Sequence, residues 1–295
     1  MKHWIQAARL RTLPLSLSGI IVGSAYAYYQ GYMNYSILIL AFLTTLGLQI
    51  LSNYANDYGD GVKGTDENRI GEKRMVAAGI ITAKQMKKAV ITVAILTFIA
   101  ALLLIYVAFG KENFVLSMIF ILLGIAAITA AIKYTIGSNA YGYNGLGDLF
   151  VFIFFGLVSV IGSNFLFTKI IDWQLFLPAT AIGLLSVAVL NLNNMRDIEN
   201  DKRAGKITLV VKMGFEKAKY YHYFLIILPM ILFTVSEVVR KDYPIAGLFC
   251  GILFIKHLLF VKRTTNQILL DSHLKIVAMG TFLISLIFLL NIMYF

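Results

Sequence analysis

Long apolar runs separated by short polar stretches set the pattern of this chain. A helix needs about 20 residues to cross a hydrocarbon core about 30 Å thick. Apolar segments near that length fall at 13–30, 36–56, 85–109, 113–132, 146–168, 175–195, 219–240, 243–261 and 274–294. The pattern predicts an all-α, polytopic membrane protein with nine transmembrane helices, forming a single domain over residues 1–295. The first segment is the shortest, and Lys2, Arg9 and Arg11 precede it as in a signal peptide. No small-residue cleavage site follows and eight further segments do, so it reads as a span.

Composition supports that class. Of 295 residues, 59% are hydrophobic and only 14% charged, against about 25% charged in soluble domains. The mean hydropathy of +0.79 excludes disorder and an ordinary soluble globule. One cysteine, Cys250, excludes a disulfide framework. The net charge of +11 would suggest nucleic acid in a soluble protein, but its placement gives another reason. With nine spans, 22 of the 26 Lys and Arg residues fall on one side; only Lys111, Lys169, Arg240 and Lys241 fall on the other. Basic residues collect in cytoplasmic loops. The split therefore predicts a cytoplasmic N-terminus in a multi-pass cell-membrane protein, and a nucleic-acid partner is not needed.

The acidic residues are concentrated instead. Nine of 15 lie in or beside two loops, about 57–84 and 196–218, both on the expected cytoplasmic side. One cluster runs from Asn53 through Asp57 and Asp60 to Asp66; the other joins Asn193, Asp197 and Asp201. Spacings of four and three put Asn53, Asp57 and Asp60 on one helix face, and spacings of four put Asn193, Asp197 and Asp201 on one face too; the shared Asn-x-x-x-Asp suggests an internal repeat. Neighbouring carboxylates near lipid are costly unless a cation offsets them. Carboxylate and amide oxygens suit Mg²⁺, which shares phosphate oxygens readily. The arrangement predicts a diphosphate site, with Lys63, Arg69, Arg74, Arg196 and Lys206 available for the remaining phosphate charge.

These two clusters resemble the aspartate motifs of the UbiA superfamily of intramembrane prenyltransferases. Three further stretches resemble its 1,4-dihydroxy-2-naphthoate polyprenyltransferase branch: Ala8 to Pro14, Tyr141 to Asp148, and Asn191 to Leu209. The commonest superfamily spacing of the last two aspartates in the first motif is four, whereas Asp57 and Asp60 are three apart, so either Asp60 or Asp66 is the closer metal ligand. The resemblance implies a UbiA-like helical bundle with catalytic Asp57, Asp60, Asp197 and Asp201, these and Asp66 holding Mg²⁺. It implies transfer of the prenyl group of an all-trans polyprenyl diphosphate to 1,4-dihydroxy-2-naphthoate. The acceptor carboxylate leaves as CO₂, giving a demethylmenaquinone. Substrate-binding candidates are Asn53, Arg74, Lys133, Tyr134, Tyr141, Asp148, Asn193, Arg196 and Lys206.

The tyrosines near the acidic loops read either as an interfacial belt or as cation–π shields of an allylic cation. Lys133 reads as an anchor or as a ligand of phosphate or substrate carboxylate. Asp148 reads as a helix-capping acid or as an acceptor contact. The histidines His3, His222, His257 and His273 show no paired spacing and read as interfacial, without a metal role. Related acceptors, 4-hydroxybenzoate or homogentisate, are the alternatives within the superfamily. A secondary transporter is the rival class, but its charges should lie near the bilayer midplane.

The charge split makes a topological prediction. Cysteines at positions 63 and 202 should be labelled from the cytoplasmic side only, and one at position 241 from outside only. Labelling of 63 and 202 from opposite faces would break the shared-site reading.

Overall fold

The computed structural model describes residues 2–65 and 73–294, and Asp66 and Arg69 lie outside them. Every regular element among the described residues is helical. In chain order these are α1 (Lys2–Ala8), α2 (Leu13–Tyr29), α3 (Tyr35–Lys63), α4 (Ala83–Phe109), α5 (Phe114–Lys133), α6 (Gly147–Val151), α7 (Ser163–Thr168), α8 (Phe176–Arg196), α9 (Ile198–Arg203), α10 (Leu209–Met213), α11 (Phe215–Val239), α12 (Ile245–Arg263) and α13 (Leu270–Tyr294). A π-helical stretch, Phe152–Gly162, joins α6 to α7 into one span. Eight helices among the described residues are long and apolar enough to cross a membrane. The segment expected as a ninth span forms α2, which at 17 residues is shorter than any of those eight.

The chain divides into two compact units. The first comprises Met1–Leu13, Tyr35–Gly147 and Asp197–Lys212. Here α3 packs against α1, α4 and α5. The start of α4 is fixed by a reciprocal cap: Thr82 Oγ1 accepts from the Gln85 amide, and the Gln85 side chain accepts from the Thr82 amide. The N-terminal segment is tied to α3 through Asn53, whose Nδ2 donates to the Ala8 carbonyl at 2.8 Å and to Thr12 Oγ1 at 3.1 Å. Trp4 packs on Tyr54 beside that tie.

The second unit comprises Pro14–Asn34, Asp148–Arg196 and Met213–Phe295. Its centre is α8, packed against α11, α13 and the π stretch. Of the span containing α8, 72% is buried, against 6% for α5 in the first unit. That contrast separates a core helix from a lipid-facing one, although both are apolar along their length. Three histidines expected at the interface are instead joined inside this unit. His222 and His257 are buried, with His222 Nε2 2.7 Å from His257 Nε2, and His257 Nδ1 2.8 Å from His273 Nδ1. They come from α11, α12 and α13, so sequence spacing carries no sign of their meeting.

Association of α2 with the π stretch uses small residues, because in lipid, close backbone approach replaces the hydrophobic drive. A Cβ on Gly23 would stand 2.3 Å from the Val160 carbonyl oxygen and 2.1 Å from Ser163 Oγ. The backbone oxygen has no rotamer to escape into. We expect Gly23→Ala to lower stability in detergent by about 1–3 kcal/mol. Gly162→Ala in the same stretch should change it little, since its Cβ would meet only Val158 Cγ1 at 3.8 Å. Equal melting temperatures for the two variants would contradict this packing.

Candidate active site

Both aspartate clusters come together in the first unit. Asp57 and Asp60 lie near the end of α3; Asp197 precedes α9 and Asp201 lies within it. All four are buried, with exposures of 1%, 2%, 6% and 3%. Carboxylates so placed need hydrogen bonds or opposite charges, and the surrounding segments supply them.

Asp57 is held by backbone. Its Oδ2 accepts from the Met75 amide and its Oδ1 from the Val76 amide, each at 3.0 Å. This fixes the turn that follows Arg74. Each oxygen keeps a second lone pair, so the contacts leave room for a metal. Asp60 is held by side chains: Tyr143 donates its hydroxyl to Oδ1 at 2.8 Å, and Arg74 Nη2 lies 3.6 Å from Oδ2. On α9, Asp201 faces Lys206 Nζ at 3.8 Å. The Asp201 amide donates to the Asp197 carbonyl, and the Lys206 amide donates to the Asp201 carbonyl. The second cluster is thus a compact helical turn closed onto its own lysine.

Loop contacts bind the clusters into one layer. Asn200 Nδ2 donates to the Thr65 carbonyl at 2.7 Å, and the Ile207 amide donates to the Tyr143 carbonyl at 3.0 Å. Tyr143 is the connecting residue, since its hydroxyl also lies 2.6 Å from Thr65 Oγ1. Burial first, and then the Asp60 carboxylate, push its phenol well above the usual range. It therefore stays protonated and remains a donor at neutral pH. Cations sit over the aromatic rings: Lys63 Nζ is 4.0 Å from the Tyr143 centroid, and Lys206 Nζ is 5.6 Å from Tyr143 and 6.0 Å from Tyr134. Tyr134 in turn meets Tyr141 edge-on at 5.3 Å.

The remaining candidates have other surroundings. Asn53 is occupied with the N-terminal segment, as described. Tyr141 gives its hydroxyl to the Ala130 carbonyl at 2.9 Å. Lys133 is exposed at the end of α5. Asp148, Asn193 and Arg196 belong to the second unit. There Asp148 accepts from the Tyr221 hydroxyl at 3.2 Å, and Arg196 is paired with Asp271 while donating to Asn193 Oδ1. Tyr143 is among the tyrosines that the sequence reading places near the acidic loops as a belt or as cation–π shields, but its bond to Asp60 is not foreseen there. Its one signal in the sequence is its place inside the Tyr141 to Asp148 stretch. No spacing there marks it as the partner of an aspartate on α3.

Among the described residues, no group of three or more His, Cys, Asp or Glu converges as a ready metal cage. The donor chemistry nevertheless fits Mg²⁺, which is commonly held by one or two carboxylates and completes its shell with waters and substrate phosphates. Two buried carboxylate pairs, each already drawing a cation, are such a donor set.

Comparison with known proteins gives the context of this geometry. The profile of the UbiA prenyltransferase family matches residues 16–290. The chain is 41% identical over 293 residues to 1,4-dihydroxy-2-naphthoate octaprenyltransferase of Escherichia coli K12, covering 98% of this chain and 94% of that one. It is 42% identical over 300 residues to the protein of the same name from Haemophilus influenzae, covering 99% and 96%. The fold is similar to the apo structure of a UbiA homolog from Aeropyrum pernix, with a TM-score of 0.67 and 15% identity over 94% of this chain and 99% of that one. It is similar also to a UbiA homolog from Archaeoglobus fulgidus bound to GPP and Mg²⁺, with a TM-score of 0.61 and 14% identity over 96% and 99%. By profile, by near-full-length identity and by fold, the chain belongs to the UbiA prenyltransferase family.

Proposed function

We propose that this protein transfers a polyprenyl group from an all-trans polyprenyl diphosphate to 1,4-dihydroxy-2-naphthoate, within the cell membrane and on its cytoplasmic side. The observation that carries this reading is the pair of buried aspartate clusters in one unit, each facing a cation. The near-full-length kinship with named naphthoate octaprenyltransferases supports the choice of acceptor.

Asp57, Asp60, Asp197 and Asp201 would hold Mg²⁺, with Asp66 as a further ligand. Bound there, the metal would neutralise the diphosphate and stabilise it as a leaving group. Arg74 and Lys206 now rest against Asp60 and Asp201. With those carboxylates on a metal, Lys206 would be available to phosphate oxygens and Arg74 to the acceptor carboxylate. Lys63 stands beside them.

Cleavage of the allylic carbon–oxygen bond sends its electron pair out with the diphosphate. Tyr134 and Tyr143 already hold cations over their rings, and the same faces would shield the allylic cation. The electron-rich acceptor ring then forms the new carbon–carbon bond. Its carboxylate leaves as CO₂, and the freed electron pair restores the aromatic ring. The product is the quinol form of a demethylmenaquinone. Arg74 is the better-placed partner for the acceptor carboxylate, because Lys133 is exposed.

Mass spectrometry of lipid products tests the reading, after incubation with Mg²⁺, dihydroxynaphthoate and prenyl donors of several lengths. A prenylated naphthoquinol is expected. Faster prenylation of 4-hydroxybenzoate or homogentisate would remove the naphthoate assignment. The geometry adds a distinction between the aspartates. Asp60→Ala and Asp201→Ala should each cut turnover by at least about a hundredfold, with the turn after Arg74 intact. Asp57→Ala should lose activity to the same degree and also expose that turn to trypsin, because Asp57 carries two of its amides. Wild-type turnover in any of the three would sink the metal assignment, and unchanged cleavage in Asp57→Ala would sink the structural one.

A further inference from the structure

The first unit holds a residue whose three polar groups are each engaged by a different element. α3 ends at Lys63, and Gly64 follows at φ +72°, the left-handed conformation that closes many helices. The chain turns back there: the Gly64 amide donates to the Gly61 carbonyl at 3.4 Å, and the Thr65 amide to the Asp60 carbonyl at 3.1 Å. These are the two bonds of a Schellman cap, so the glycine delivers Thr65 onto the backbone of Asp60. Thr65 is buried, at 4% exposure.

The other two polar groups of Thr65 reach away from α3. Tyr143 has one hydroxyl hydrogen and gives it to Asp60 Oδ1. At 2.6 Å from Tyr143 Oη, Thr65 Oγ1 is therefore the donor in that contact. The direction is set by a carboxylate, which only accepts. The Thr65 carbonyl accepts from Asn200 Nδ2 at 2.7 Å, and Asn200 directly precedes Asp201 on α9. A continuous path thus runs from the Asp60 carboxylate through Tyr143, Thr65 and Asn200 to the helix that carries Asp201, all of it within the first unit. The backbone bond from Ile207 to Tyr143 runs in parallel, so the loops stay joined when a side chain on the path is changed.

We infer that Thr65 is a positioning residue that couples the two aspartate clusters. With its hydroxyl in place, a shift of Asp60 is passed through Tyr143 and Thr65 to α9; without it, the two clusters respond separately. This rests on the reading of the four aspartates as Mg²⁺ ligands, made above. A diphosphate whose metal is shared by both clusters needs them in one register. Side chains already bridged by hydrogen bonds have less freedom to lose when it binds. Thr65 touches no substrate in this role, because its amide, hydroxyl and carbonyl are all taken within the protein.

The test uses the whole protein in detergent, with Mg²⁺ and inorganic pyrophosphate as the probe and the melting temperature as the binding readout. Thr65→Val keeps the shape and removes the donor; Thr65→Ser keeps the donor. The Mg²⁺ midpoint of stabilisation should rise about tenfold in Thr65→Val and less than about twofold in Thr65→Ser. Turnover should fall by similar factors, with the acceptor KM unchanged. Asn200→Leu cuts the other end of the path. A path already cut loses nothing more, so the Thr65→Val, Asn200→Leu double variant should match the larger single loss rather than the product of the two. Tyr143→Phe keeps the ring and removes the middle hydroxyl; it should behave as Thr65→Val does, and it carries the test should Thr65→Val fail to fold. A wild-type midpoint in Thr65→Val, a Thr65→Ser as weak as Thr65→Val, or losses that multiply would each overturn the coupling. Wild-type protein that Mg²⁺ and pyrophosphate do not stabilise would overturn the metal reading, and this inference with it. Multiplying losses beside a normal wild-type midpoint would overturn the coupling alone.

Discussion

The structure turns on carboxylates buried at the end of a membrane-spanning helix and in the loops that follow. A charged group there is tolerated only when its surroundings answer it, and four of them lie within one unit. Three are answered in different ways: Asp57 by two backbone amides, Asp60 by a phenol and a guanidinium, Asp201 by an ammonium. The segments that bring those groups would otherwise be ordinary loops. Satisfying the acids obliges the turn at Met75 and Val76, the stretch of chain at Tyr143 and the turn at Lys206 to take fixed positions. The loop layer is ordered by these charges together with apolar packing, since Met75 and Ile81 lie in a buried cluster with Leu51, Tyr54 and Met86.

Much of the fold was legible because lipid is a uniform solvent. A span must be long, apolar and internally hydrogen-bonded, so the segments in the sequence correspond closely to the helices from α3 to α13. What hydropathy could not show is which apolar helices are core. α5 and α8 read alike, yet one faces outward and the other is mostly buried, because burial depends on which helices pack around a span rather than on its own apolarity. The π-helical stretch was equally hidden, since its composition is that of any span.

The site was legible in part for a related reason. Asp57, Asp60, Asp197 and Asp201 stood out because acids are rare in so apolar a chain, and their spacing placed each pair on one face. Arg196 was read as a phosphate ligand from its neighbour Asp197, but its pairing with Asp271 depends on α13, 75 residues away. The histidine chain failed to show for the same reason: His222, His257 and His273 come from three helices with no shared period. Local spacing reports faces of a helix, and contacts between helices leave no such trace.

The exposed position of α5 has a mechanical consequence. This helix is 20 residues long, so it spans about 30 Å and matches an average bilayer with nothing to spare. With only 6% of its span buried, few protein contacts oppose a change in its tilt. A mismatch of membrane thickness costs fractions of a kcal/mol per ångström and is relieved by tilting. Tyr134 follows directly on the last residue of α5, and the Tyr141 hydroxyl is anchored to the Ala130 carbonyl in its last turn. A change of tilt at α5 would therefore displace the aromatic rings beside Lys206, and the surrounding membrane would act as a lever on the geometry of this loop.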